Sequence, residues 1–171
     1  MKRHVVLIGL PGSGKTTVGR LAAEQLHAEF VDVDAILARR EGKPIAMIFA
    51  EKGEAAFREM ERKEMETALA GAPAVVAPGG GWAAQPGALD AARTALMIYL
   101  HTRPETAAQR AAPEGTRPLL MGEDPVSRMR QLLKEREPFY RNAHAQVETE
   151  HKTASQVTFE VVRLAQSSAG W

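Results

Sequence analysis

The sequence predicts an α/β protein built on a parallel sheet with helices on both faces. Three observations predict it. Short strand-like runs rich in Val, Ile or Leu alternate with longer helical stretches along most of the chain. Those runs are short and rich in Val, Ile or Leu, as strands buried on both faces tend to be. Finally, a glycine-rich segment, GLPGSGKTT from Gly9 to Thr17, stands between the first such run and the first helical stretch.

Taken in order, the apolar run Val5–Ile8 reads as the first strand. Val18, Leu21, Ala22 and Leu26 recur at helical spacing and place a helix over Lys15–Leu26. A second strand is expected over Glu29–Asp32, followed by helices over Asp34–Glu41, Ile45–Glu51 and Glu54–Ala70. The last of these carries an apolar stripe of Phe57, Met60, Met65, Ala68 and Leu69. Ala74–Ala77 and Ala95–Leu100 supply the third and fourth strands, and Pro104–Ala111 the next helix. From Ala112 to Asp124 the chain reads APEGTRPLLMGED, with two prolines, two glycines and no helical or strand period. That composition predicts a long loop able to close over a site, with Arg117 inside it; an irregular connection is the alternative. A helix over Pro125–Ala143, a strand over Gln146–Thr149 and a helix over Ala154–Gln166 complete the pattern.

Composition excludes several classes. At 171 residues one domain spanning 1–171 is expected. A formal net charge of +1 gives no basic field for nucleic acid or an anionic membrane. The chain has no cysteine, so disulfides, thiolate metal sites and a cysteine nucleophile are absent, which suits a reducing cytoplasm. The start Met1-Lys2-Arg3-His4 is like a signal-peptide n-region, yet the apolar run behind it ends at Leu10, too short for an h-region. No apolar segment approaches a membrane span. The five histidines lack metal-ligand spacing.

The chemistry concentrates after the strands, where ligands sit in such sheets. GLPGSGKTT fits G-x-x-x-x-G-K-[ST] at a strand-to-helix turn. There the N–H groups of a glycine-rich turn and a helix N-terminus close on phosphate oxygens. Lys15 can neutralise the β- and γ-phosphates, and the Thr16 hydroxyl can ligate Mg²⁺. Asp32 and Asp34, in FVDVD, offer one carboxylate to the metal and one to an incoming hydroxyl. A helix cap, most simply Asp34, with a solvated partner is the competing reading. Gly79-Gly80-Gly81 either brings main chain against a ligand or forms a flexible turn. Arg58 and Glu61, three apart on a helix, read as a guanidinium aimed at a carboxylate ligand or as a solvated surface pair. Arg136 shares a helical stripe with Met129, Leu133 and Tyr140 and so requires an anion, from a substrate or from within the protein. Arg110 is placed to stack on an adenine ring or to lie in solvent.

Together, GLPGSGKTT, FVDVD, the IF…GE…FR..E pattern over Ile48 to Glu61, the triple glycine, RPLL at Arg117 to Leu120 and ER.P.Y at Glu135 to Tyr140 resemble the shikimate kinase family. The matching spacing runs from residue 9 to about 143. The resemblance implies a three-layer P-loop kinase fold with a five-stranded parallel sheet in the order 2-3-1-4-5. It also implies a helical substrate-binding region at about 34–61 and a mobile lid at about 112–124. The implied reaction is ATP-dependent phosphorylation of the 3-hydroxyl of shikimate, within chorismate and aromatic amino acid biosynthesis. The implied ligands are ATP, Mg²⁺ and shikimate, with no nucleic acid or membrane, in a cytoplasmic monomer. By the same resemblance Gly12, Ser13, Gly14, Lys15, Thr16 and Thr17 hold the phosphates, and Thr16 and Asp32 the metal. Asp34 is the base or orienting group, Arg58 and Arg136 clamp the substrate carboxylate, and the main chain of Gly80 and Gly81 meets the ring hydroxyls. Arg117 reaches the transferring phosphate from the lid, and Arg110 flanks the adenine. Two departures stand out: Ala38-Arg39 replaces a frequent Ile-Glu, and Trp82 follows the glycines where a smaller residue is usual.

Other readings fare worse. A gluconate-type or nucleotide kinase on the same scaffold does not account for FR..E together with GGG. A GTPase needs Asn-Lys-x-Asp and a D-x-x-G after a strand, and both are missing. A nucleotide-binding protein without catalysis has no use for Lys15, Asp34 and Arg117 together.

Overall fold

Five parallel strands carry the architecture of the computed structural model, which describes residues 1–111 and 124–171. They are β1 (Val5–Ile8), β2 (Phe30–Asp32), β3 (Val75–Ala77), β4 (Leu96–His101) and β5 (Ala145–Glu148), in the order β2-β3-β1-β4-β5. Every pairing is parallel, with Val5 opposite both Val75 and Leu96. The order expected from the family resemblance is therefore the one observed.

The helices among the described residues are α1 (Lys15–Leu26), α2 (Val33–Glu41), α3 (Ile45–Lys52), α4 (Glu54–Ala70), α5 (Ala88–Ala91), α6 (Pro104–Ala111), α7 (Pro125–Tyr140) and α8 (Ala154–Ser168). Successive strand side chains point to opposite faces, so the central strands β1, β3 and β4 feed two cores. Val5, Leu7, Val75, Ile98 and Leu100 pack on one side with Val18 and Ala22 of α1 and Val157 and Val161 of α8. Val6, Ile8, Val76, Met97 and Tyr99 pack on the other with Leu37, Phe57, Met65, Ala107, Met129 and Leu132. Burial on both faces is why these strands read as continuous apolar runs.

The chain leaves β1 towards β2 and β3 on one side and later fills β4 and β5 on the other. The switch falls at β1, so its carboxyl end opens a crevice between the flanking loops. The phosphate loop occupies that end.

Several boundaries move. The second strand stops at Asp32 and α2 begins at Val33, so Asp32, not Asp34, caps the helix: its Oδ1 accepts from Ala35 N at 3.2 Å. Asp34 lies in the first turn. The long helix α7 ends at Tyr140, and its buried side runs Met129, Leu132, Arg136 and Tyr140, with Leu132 in place of Leu133. A 3-10 turn at Trp82–Ala84 and α5 were not expected, since three or four residues are too few to show an apolar period. Trp82 is 2% exposed and packs into the core under α4 and α7. Of the lid expected over 112–124, only Asp124 is described, and it caps α7 by accepting from Ser127 N at 3.1 Å. Arg117 lies outside the described residues.

Candidate active site

Gly12 shows why the loop after β1 needs glycine. Its φ is +80°, and a Cβ there would run into the Ala107 carbonyl of α6. The tight turn brings Lys15 back over the loop, where its ammonium donates to the Gly9 carbonyl at 2.7 Å and the Leu10 carbonyl at 2.8 Å. Lys15 is thus held inside the turn that its neighbours form, a fixed positive charge at the N-terminus of α1.

Thr16 donates to Asp32 Oδ2 at 3.0 Å. This contact joins α1 to the end of β2 and sets a hydroxyl beside a carboxylate. The two are hard oxygen donors, the ligand type Mg²⁺ takes when most of its shell comes from phosphate and water. Among the described residues there is no group of three or more His, Cys, Asp or Glu side chains placed to hold a metal ion.

A cavity of about 660 Å³ joins these residues to the rest of the expected constellation. Lys15, Thr16, Asp32, Asp34, Arg58, Gly79, Gly80, Gly81, Arg110 and Arg136 all line it. Alternation along an extended strand is not what brings Asp32 and Asp34 together, because the chain turns helical between them.

The helix α4 turns its polar residues inward more than its stripe suggests. Glu61 is 0% exposed and Glu64 is buried. Arg58 Nη1 donates to Glu61 Oε1 at 2.9 Å, and Arg40 Nη2 to Glu64 Oε2 at 2.7 Å. The solvated-pair reading of Arg58 and Glu61 is therefore wrong. Burial drives the Glu61 pKa up to about 7, and the Asp34 charge adds to the rise, while Arg58 and Arg136 pull against it. The Arg58 guanidinium lies 5.9 Å from the Phe49 ring centroid and 5.5 Å from that of Phe57, within cation–π range of both.

Arg136 is 7% exposed and projects from α7 beside Gly80. Among the described residues no carboxylate is in ion-pair contact with it, and its charge acts on Glu61 of α4. The triple glycine explains how such large side chains converge. A Cβ at Gly79 would meet the Glu61 and Asp34 carboxylates, one at Gly80 would stand 3.1 Å from Arg136 Nη1, and one at Gly81 would stand 2.7 Å from Arg58 Cζ. None of the three has a positive φ. They are glycine because side chains from α2, α4 and α7 crowd the backbone, not because the turn is left-handed.

The cavity also has apolar walls that motif reading does not isolate. Ile45, Phe49, Phe57 and Leu132 line it, as does Arg20, one turn beyond Thr16 on α1. A signal existed for Phe49: α3 is apolar on nearly every side, although Met47 is 50% exposed, so its surplus needed a use.

The sequence model of the shikimate kinase family matches residues 11–166. A shikimate kinase from Symbiobacterium thermophilum is 41% identical over 167 residues, 95% of this chain and 96% of the relative. The shikimate kinase from Acinetobacter baumannii, solved in complex with shikimate, superposes with a TM-score of 0.92 at 36% identity, covering 98% of this chain and 94% of that one. A gluconokinase from Sinorhizobium meliloti 1021 has a TM-score of 0.67 at 19% identity over 99% of this chain and 94% of that one, a likeness of fold alone. Matched over nearly its whole length in both sequence and structure, the chain belongs to the shikimate kinase family.

Proposed function

We infer that the protein transfers the γ-phosphoryl group of ATP to the 3-hydroxyl of shikimate, forming shikimate 3-phosphate and ADP, the phosphorylation on the way to chorismate and the aromatic amino acids. The observation that carries this reading is a pair of arginines, Arg136 buried and Arg58 with 13% of its side chain exposed, set around Gly80 and Gly81 in the same cavity as the phosphate loop. Two guanidinium groups in one desolvated pocket call for an anionic acceptor, and a carboxylate accepts their paired N–H donors.

In this reading the N–H groups and side chains of Gly12 through Thr17 hold the triphosphate, and Lys15 balances charge on the transferring group. Thr16 and Asp32 would hold Mg²⁺, which when bound neutralises phosphate charge. Arg58 and Arg136 take the shikimate carboxylate, and the main chain of Gly80 and Gly81 meets its ring hydroxyls. Asp34 orients the 3-hydroxyl and accepts its proton as the oxygen attacks the γ-phosphorus and the bridging oxygen departs with ADP. Arg110, exposed at the end of α6, flanks the adenine. Arg117 serves the transferring phosphate from a lid at about 112–124.

A coupled ADP-release assay with shikimate, gluconate and AMP in parallel tests the reading. Turnover with shikimate far above the other two is expected. Equal or greater turnover with gluconate or AMP would assign the site to another acceptor.

A further inference from the structure

Tyr140 is fully buried, and its hydroxyl donates to the carbonyl of Gly80. It lies one helical turn after Arg136 on α7, so the same turn that supplies a cavity arginine also grips the glycine loop. Tyr140 does not line the cavity, whereas Gly80 and Gly81 both do. The peptide between these glycines is trans, and in a trans peptide the C=O and the following N–H point in opposite directions. A carbonyl captured on the protein side turns the Gly81 N–H to the cavity side. Space beside Gly80 is limited, since a Cβ there would stand 3.0 Å from Pro11 Cδ and 3.1 Å from Arg136 Nη1.

The hydroxyl is well placed to keep this role. Burial raises the phenol to about 12, with Arg136 opposing, so it remains a neutral donor throughout the neutral range. Its ring packs against Tyr99 at 5.0 Å between centroids, and Tyr99 is itself tied to Glu137 of α7 at 3.1 Å. The packed rings, and not the Tyr99 hydroxyl, set the Tyr140 side chain against β4.

We propose that Tyr140 is a positioning residue for the acceptor substrate, holding the Gly80 carbonyl so that the Gly81 N–H is presented to shikimate. This rests on the functional reading above. The grip acts on the acceptor's side of the cavity, which gives the proposal a kinetic signature that general loosening of the core does not share. Tyr140→Phe leaves a buried carbonyl unpaired and lowers the melting temperature in either case. A separation between the two Michaelis constants is the informative measurement.

Initial rates are measured with shikimate and ATP varied separately for the wild type, Tyr140→Phe and Tyr99→Phe. The wild type comes first: failure to phosphorylate shikimate would sink the functional reading before any variant is compared. With that activity in hand, Tyr140→Phe should raise the KM for shikimate about tenfold, equivalent to about 1.4 kcal/mol, with the KM for ATP changed by less than about twofold. Tyr99→Phe loses a buried hydroxyl from the same ring pair but not the grip on Gly80, and should keep the wild-type KM for shikimate. An unchanged KM for shikimate in Tyr140→Phe, or an equal rise in both constants, overturns the proposal. Should Tyr140→Phe fail to fold, the wild type labelled with ¹⁵N-glycine decides the matter. The Gly81 amide signal should move on adding shikimate, and an unmoved signal overturns the proposal.

Discussion

Glu61 accepts a hydrogen bond from Arg58 at 2.9 Å while wholly shielded from water. The two residues lie three apart on α4, so the helix itself sets their approach. Arg58 is thereby positioned before any substrate arrives, its guanidinium steadied on one side by a carboxylate and on another by Phe49 and Phe57. Glu61 Oε2 and Arg58 Nε find no hydrogen-bond partner among the described residues. A buried pair of this kind is costly to build, and its use lies in orientation more than in stability.

Glu61 should impose a pH dependence on folding. Its folded pKa of about 7 exceeds the ordinary 4.5, so the folded chain holds a proton that the unfolded chain releases between those values. Its contribution is fully present below pH 4.5 and is lost as pH rises through about 7, by on the order of 3 kcal/mol. Glu61→Gln should flatten that slope. Chemical denaturation of both proteins at about pH 5 and about pH 7.5 checks it, and identical slopes would remove Glu61 as the titrating group.

Arg58→Lys should weaken shikimate binding by on the order of 1.5–3 kcal/mol, because an ammonium cannot reproduce the planar fork that meets a carboxylate. The effect is expected in the KM for shikimate and not in that for ATP. A KM equal to wild type would deny Arg58 a carboxylate-binding role.

Gly81→Ala should act on the same arginine from the other side. The added methyl would stand 2.7 Å from Arg58 Cζ, inside contact distance, so the guanidinium must shift. We expect a raised KM for shikimate of about fivefold or more in a folded protein, the effect of displacing one charged hydrogen-bonding group. Far-ultraviolet circular dichroism with initial rates tests this, and unaltered kinetics would show that Arg58 tolerates displacement.

Asp34→Asn should cut kcat by about 10²–10⁴-fold and leave ATP binding nearly unchanged, since the amide keeps the shape but cannot take a proton. The mutant's helix should be intact, because Asp32 supplies the cap of α2. Single-turnover rates and nucleotide titration separate the two effects. Retention of most of kcat would restrict Asp34 to orienting the hydroxyl.

The sequence by itself determined the α/β class, the place of each main strand and the phosphate loop. These features follow from local rules: apolar runs for strands buried on both faces, helical periods for the flanking layers, and a glycine-lysine pattern that only a strand-to-helix turn can use. It also named Lys15, Thr16, Asp32, Asp34, Arg58, Gly80, Gly81, Arg110 and Arg136, which line one cavity, but not that cavity's apolar walls. Tertiary structure alone decided what those residues touch. Whether Arg58 and Glu61 were a surface pair or a buried one depended on which side of α4 faced the sheet, and α4 buries Glu61 and Glu64 beside Phe57 and Met65. The cap of α2 fell to Asp32 because the chain turns helical one residue earlier than its polar pattern suggests. The reason for three glycines is equally non-local: the carboxylates of Glu61 and Asp34 and the guanidinium groups of Arg136 and Arg58 come from three separate helices to occupy the space a Cβ would take. No spacing in the chain encodes such crowding, since it exists only once the helices have packed.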